Sequence, residues 1–331
     1  MPGQAMTPQR FSLVALLSAA ILACAVSGCA GAGPSRAGQL TLAWVVDPCW
    51  SQVPVAADLG YFTGAGVKVK VVPFPTGAAA LEALVGGAVD VANGGDVPTA
   101  AAALKNTRLR IVADGSRWDG GRFVARKSAG VNSIADLAGR RIAVPLGSSA
   151  HYFATKFLSQ AGFAASAINS QLIQTGPGEI PSAIANHDVD VVAVFQPELA
   201  KAVDELHGDS VELQGSPKYN QHSMYLTNEN TLATKKLELS KFLGAIRRAD
   251  GPLSAQEPPA VSAVARAMKL DERLITGVLR EFVFRTDLGP DLPADLADRA
   301  HWAQALGRIP ADAVIPDYRS IIAPASLQGA Q

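Results

Sequence analysis

Gly147, Ser148 and Ser149 have the types and spacing best suited to chemistry in this chain: a glycine that lets the backbone turn, then two hydroxyls, set between a strand and a helix. Arg141 to Val144 is a short β-branched run, and Pro145 and Gly147 break it. The spacing of Phe153, Phe157, Leu158 and Ala161 predicts a helix that starts at Ser149. A helix start presents unpaired backbone N–H groups and the positive end of the helix dipole. The loop therefore offers a seat for an anionic head group without any buried lysine or arginine. The plainer alternative is that Ser148 or Ser149 only caps the helix.

The elements that must position this loop follow from an alternation of strands and helices. Leu40 to Val46, Val67 to Pro73, Val89 to Ala92, Leu109 to Ala113 and Arg122 to Ala125 read as strands, with helices at Val53 to Leu59, Ala78 to Val85 and Thr99 to Lys105 between them. Thr76 reads as the cap of the second of these helices. A second unit repeats the plan around Ile142 to Gln160, and from His222 a strand leads into a mostly helical remainder that includes Glu272 to Phe284. The class is α/β with mostly parallel sheets. In such sheets ligands sit beyond the carboxyl ends of strands.

Those ends carry the other candidates. Cys49 and Trp50 follow the first strand, Gly95 and Asp96 the third, Ser148, Ser149, Ala150 and His151 the strand at Ile142, and Phe195 and Gln196 the strand at Val189. Asp96 reads either as a helix cap or as a ligand contact. His151 either points a ring N–H at the ligand or packs, and Cys49 either lines the cleft or is a small buried thiol. Trp50, Phe195 and Trp118 are candidates for contact with an apolar tail. Arg117 and Arg122 either complete the anion site or are solvated.

At 331 residues the chain is long enough for two domains, and 29 basic against 29 acidic residues with 48% hydrophobic content describe a folded, near-neutral protein. Nucleic acid is not an expected partner. Residues 1–28 read as a leader, with Arg10 before the apolar run Phe11 to Val26. Val26-Ser27-Gly28-Cys29 resembles the lipobox of bacterial lipoproteins, which implies cleavage before Cys29 and lipid on its thiol. Residues 29–39 then form a lipidated tether, and the expected location is the outer face of the cell membrane or the periplasm. Cys24 leaves with the leader, so Cys49 stands alone and no intrachain disulfide is possible.

Catalytic patterns are scarce. His187, Asp188 and Asp190 sit at a helix-to-strand turn with no partnering cysteine, and neither a nucleophile elbow nor a phosphate loop is present. The expectation is a binding protein rather than an enzyme, with no cofactor and no metal.

Several ordered segments resemble the periplasmic solute-binding proteins of ABC importers, type II fold, in the group handling sulfonates, taurine, nitrate and thiamin precursors. They are VAADLGYF from Val55, PFPTGAAALEALVGGAVDVANGGDVPTA from Pro73, SIADLAGRRIAVPLGSSAHYF from Ser133, VFQPELA from Val194 and LADRAHWAQALGRIP from Leu296. GSSAHYF, from Gly147, is similar to the alkanesulfonate-binding branch. The resemblance implies two Rossmann-like lobes joined by a hinge. One lobe is discontinuous, residues 40–125 plus 222–331, and the other spans residues 126–221. It implies a monomer that captures a small organic anion in the cleft and hands it to a membrane permease. Gly95, Asp96, Ser148, Ser149, Ala150, His151 and the Phe195-Gln196-Pro197 turn would face the ligand. Many relatives have an aromatic-acidic-proline turn where this chain has Gln196, so the resemblance points to a plain aliphatic sulfonate more than to one bearing an amine. The alternatives are nitrate or a thiamin-precursor pyrimidine as ligand, sensing for a membrane partner, or a fold-related enzyme of the pyrimidine or menaquinone type.

Overall fold

The computed structural model describes residues 38–329; the leader, Cys29 and most of the tether lie outside the described residues. The chain lays down β1 (Gln39–Val45), β2 (Lys68–Phe74), β3 (Val91–Gly95) and β4 (Leu109–Trp118) in a first sheet. It then crosses to a second sheet for β5 (Phe123–Arg126), β6 (Ile142–Val144), β7 (Leu172–Gln174), β8 (Val191–Ala193) and β9 (Ser210–Leu213). It returns to the first with β10 (Gln221–Asn228) and β11 (Phe282–Asp287). The connections carry α1 (Gln52–Asp58), α2 (Tyr61–Gly64), α3 (Gly77–Val85) and α4 (Asp96–Lys105) on the first lobe and α5 (Ser149–Gln160) on the second.

The two sheets share one plan. Their orders are β11-β4-β10-β3-β1-β2 and β7-β6-β8-β5-β9. In each, three parallel strands lie side by side, and a strand arriving from the other sheet is inserted antiparallel: β10 between β3 and β4, β5 between β8 and β9. This is the two-lobed type II periplasmic-binding-protein fold. Two segments, residues 119–122 and 214–220, connect the sheets.

Three expectations are corrected. Phe123 to Ala125, expected at the end of the first lobe, pair with β8 and β9 in the second sheet. Residues 282–284, expected to end a helix, instead open β11 (Phe282–Asp287) against β4, because Phe282, Phe284 and Thr286 alternate inward along FVFRTD once the helix ends at Leu279. The turn expected at Asn93 to Pro98 is shorter: β3 runs to Gly95 and α4 begins at Asp96.

Strand alternation also divides the core. Phe123 and Ala125 face the main cluster, where Phe123, Phe153, Phe157 and Trp118 meet ring to ring, while Val124 faces a smaller cluster with Ile180, Ile184, Val192 and Leu199.

A buried polar centre joins the first sheet to the helix Leu292–Ala305. His222 on β10 lies between Asp114 on β4, 2.5 Å from Nδ1, and Asp295 on that helix, 2.8 Å from Nε2. Burial opposes the charged imidazolium, but hydrogen bonds to the two carboxylates overcome it and raise the pKa to about 9; the nearby Arg117 charge works the other way. The folded pKa thus lies above the ordinary value of 6.5. Its contribution to stability, on the order of 3 kcal/mol, is complete below that ordinary value and is lost as pH rises through 9. Thermal melts should therefore show His222→Gln well below the parent at pH 6, with the difference shrinking by pH 10. A difference that stays constant over this range would contradict a charged His222.

Candidate functional site

A cavity of about 550 Å³ lies between the two lobes, at the carboxyl ends of their parallel strands. Its walls come from the segments after β1 (Asp47, Trp50), β2 (Thr76 to Ala78) and β3 (Gly95) in one lobe, and after β6 (Pro145 to Ser149) and β8 (Phe195, Glu198) in the other. A larger depression of about 1010 Å³, lined by Arg122, Gln196, Asp271, Arg273 and Glu281, shares no lining residue with this cavity. Its central arginine is already engaged, since Arg122 pairs with both Glu212 and Glu281.

Two helix starts enter the cavity wall. On α3, Thr76 is extended (φ −147°) and its Oγ1 accepts from the Ala79 amide at 3.3 Å. The amides of Gly77 and Ala78, the first two of the helix, have no partner among the described residues. Gly77 itself packs on the β3–α4 corner: a Cβ there would meet Gly95 N and Pro98 Cγ at 3.5 Å. On α5, Ser148 is the cap, accepting from Ala150 N at 3.1 Å and His151 N at 3.4 Å while donating to the Pro145 carbonyl at 2.6 Å. Capping and anion seat thus coexist on one helix: Ser148 takes the second and third amides, and Ser149 N is left over.

Asp96 has neither of the roles expected for it. Gly95 is the helix cap, and the Asp96 carboxylate, wholly buried, accepts from Tyr219 Oη at 2.6 Å, Ser149 Oγ at 2.8 Å, Val97 N at 2.9 Å and Arg299 Nε at 3.0 Å. Arg299 also binds Asp295, Asp298 and the Asn220 carbonyl and lies over the rings of Tyr152 and Tyr219. Burial works against its charge, but the Asp96 carboxylate and its neighbours hold the guanidinium well above its ordinary pKa. The pair is a fixed strut beneath the cavity.

Of the residues expected to face a ligand, the structure brings Trp50, Gly95, Ser148, Ser149 and Phe195 into the cavity wall. It keeps out Cys49, Asp96, Ala150, His151 and Gln196. Ala150 is buried and its amide is spent on Ser148. His151 accepts from Gly147 N at 3.2 Å and packs its ring against Trp302; burial, then the Arg308 charge, lowers its pKa to about 4, so it is neutral. Gln196 turns away from the cavity and donates to Glu281, where Trp118 and Arg122 also bind. Arg117 pairs with Asp114 and Asp287. Neither Arg117 nor Arg122 is free to complete an anion site.

Cys49 lies behind the wall within a chain of hydrogen bonds. Gln221 Nε2 donates to Cys49 Sγ at 3.1 Å, and Asp47 Oδ1 accepts the Cys49 amide at 2.8 Å. Burial, then the Asp47 charge, pushes the thiol pKa well up, which keeps it protonated and unsuited to nucleophilic attack. Asp47 is raised to about 7, chiefly by burial; the Cys49 bonds oppose this and the Glu198 charge adds to it.

Glu198, Gln221 and the α3 start were not among the expected site residues, although all line the cavity. The Thr76 cap was a visible signal for the third. Glu198 stands one residue beyond the Phe195-Gln196-Pro197 turn, and nothing in sequence distinguishes Gln221 from any polar residue opening a strand. No lysine, arginine or histidine is among the lining residues, which leaves Asp47 and Glu198 as the only ionisable ones.

Comparison with known proteins places this geometry in a family. The taurine-binding periplasmic protein of Escherichia coli (strain K12) is 25% identical over 283 residues, covering 80% of this chain and 86% of that protein. Another protein of that strain, named for binding aliphatic sulfonates, is 26% identical over 214 residues, 64% of this chain and only 66% of the relative's own length. Among solved structures, the periplasmic aliphatic sulphonate binding protein SsuA from Escherichia coli superposes with a TM-score of 0.74 at 21% identity, covering 86% of this chain and 92% of that one. The family model described as NMT1/THI5 like matches residues 49–257. The chain belongs to the NMT1/THI5-like family.

Proposed function

We propose that this protein is the solute-binding subunit of an ABC importer, working outside the cytoplasm. It captures a small organic anion with a sulfonate head in the interlobe cavity and delivers it to a membrane permease. The observation that carries this reading is the convergence of three unpartnered helix-start amides, Gly77, Ala78 and Ser149, from both lobes on one cavity. A sulfonate presents three acceptor oxygens and stays ionised at physiological pH. Hydrogen bonds from such amides to an ion contribute roughly 1.5–3 kcal/mol each, and the positive helix ends add to this. Trp50 and Phe195 supply apolar wall for a short tail. The names of the relatives support the same class of ligand. Because amides of both lobes share the head group, bound ligand favours the closed arrangement that a permease recognises.

Catalysis finds no comparable support. The Cys49 thiol is protonated and behind the wall, and no cluster able to hold a metal is found among the described residues. The lipobox resemblance supports a tether through lipid on Cys29.

Calorimetry with short alkanesulfonates, nitrate and an aminopyrimidine decides the ligand. A sulfonate should give the tightest binding, and heat from the pyrimidine alone would end the sulfonate reading. Proline fits the first helical position without breaking a helix but has no N–H. Gly77→Pro and Ser149→Pro should therefore each weaken sulfonate binding roughly 10- to 100-fold with native circular dichroism. Ser149→Ala, which keeps the amide and loses only the bond to Asp96, should bind within a few-fold of the parent; full affinity in both proline variants would move the anion elsewhere. For the tether, Cys29→Ala should abolish acyl labelling and release the protein from membranes. Labelling that survives the change would contradict the lipobox.

A further inference from the structure

The cavity contains acceptors that an anion cannot use. Asp47 and Glu198 approach from different lobes and are near enough for the charge of one to disfavour ionisation of the other. Gln221 stands in the same wall, 4% exposed, and its Oε1 has no hydrogen-bond partner. Its amide nitrogen faces the Cys49 sulfur at 3.1 Å. The carbonyl oxygen is thereby left as a buried acceptor without a donor, an arrangement that costs free energy until a ligand supplies one.

We propose that the ligand is a zwitterion, and that Asp47, Glu198 and Gln221 Oε1 form a second subsite that binds its cationic nitrogen while the α3 and α5 amides hold its anionic head. An ammonium has donors for all three acceptors and cancels the repulsion between the carboxylates. A plain alkyl chain in that place leaves Gln221 Oε1 unsatisfied and the Asp47 carboxylate without a counter-charge, while Glu198 keeps only its pair with Lys201, 3.2 Å away. The inference rests on the anion-binding reading above and corrects the expectation, drawn from Gln196, that an amine finds no carboxylate here. The carboxylates come from positions 47 and 198 instead.

The test uses isosteric pairs in which a methyl replaces the ammonium: taurine against propane-1-sulfonate, and 3-aminopropanesulfonate against butane-1-sulfonate, by calorimetry at pH 7.5. The amine of at least one pair should bind ten-fold or more tightly than its partner. Asp47→Asn and Glu198→Gln should each erase most of that gain, bringing the amine and its alkyl partner to nearly equal affinity. Asn keeps the acceptor that caps the Cys49 turn, and unchanged melting of both variants checks the fold. A proton should also be released when the amine binds at pH 6.5, as the cation pulls the Asp47 carboxyl into its ionised form, and this release should vanish in Asp47→Asn. Equal affinity across both pairs would overturn the subsite and leave the sulfonate reading standing. Binding of the aminopyrimidine alone, weakened by Asp47→Asn, would support the nitrogen subsite and end the sulfonate reading. No binding by any member of the panel would overturn both.

Discussion

The Asp96–Arg299 ion pair is the interaction on which the rest of the cleft depends. One carboxylate at the end of β3 receives α5 of the other lobe through Ser149, the connecting segment through Tyr219, and the helix Leu292–Ala305 through Arg299. Four parts of the chain far apart in sequence meet at a single buried charge. Such a pair is weak evidence for stability, because desolvation offsets much of the attraction. Removing one partner is another matter: an uncompensated charge left at this depth costs about 3–5 kcal/mol. The pair therefore sets where the α5 start stands relative to β3, and with it the spacing between the amides of Ser149 and those of Gly77 and Ala78.

That strut also bears on how the cavity would meet an anion without a buried cation. Arg299, the obvious candidate for an anion partner, is consumed by Asp96, Asp295 and Asp298, and Arg117 and Arg122 are consumed by carboxylates of their own. What remains for the ligand is backbone: amides whose position is fixed by the helices that carry them and which need no side-chain ordering to bind. The acceptors proposed at Asp47, Glu198 and Gln221 would belong to the same logic. A wall built of amides at one subsite and carboxylates at another selects by the arrangement of charge within the solute rather than by its net charge.

Much of this was legible in the chain. The β6–loop–α5 unit was readable because a β-branched run, a proline, a glycine and a helical apolar stripe follow one another within Arg140 to Gln160, and each is a local signal. Thr76 announced its helix in the same way. What was hidden depends on contacts across long separations. Asp96 carries the local marks of a cap, and only the arrival of Arg299, 203 residues later, turns it into a strut. Residues 282–284 follow a helical pattern closely enough to be absorbed into it, and the open edge of β4 is what draws them, with residues 285–287, into a strand. Glu198 and Gln221 carry no signal of their own, since their meaning lies in facing a cavity made by the other lobe.

The central claim is that free amides at the starts of α3 and α5, rather than any cationic side chain, bind the solute's negative head. Amide-resolved NMR on the isotopically labelled protein, titrated with a sulfonate ligand, tests it most directly. The account predicts the largest downfield proton shifts and the strongest added exchange protection at Gly77, Ala78 and Ser149, from both lobes in the same titration. Saturable binding that leaves these three resonances in place and instead perturbs the side chains of Arg117, Arg122 or Arg299 would contradict it.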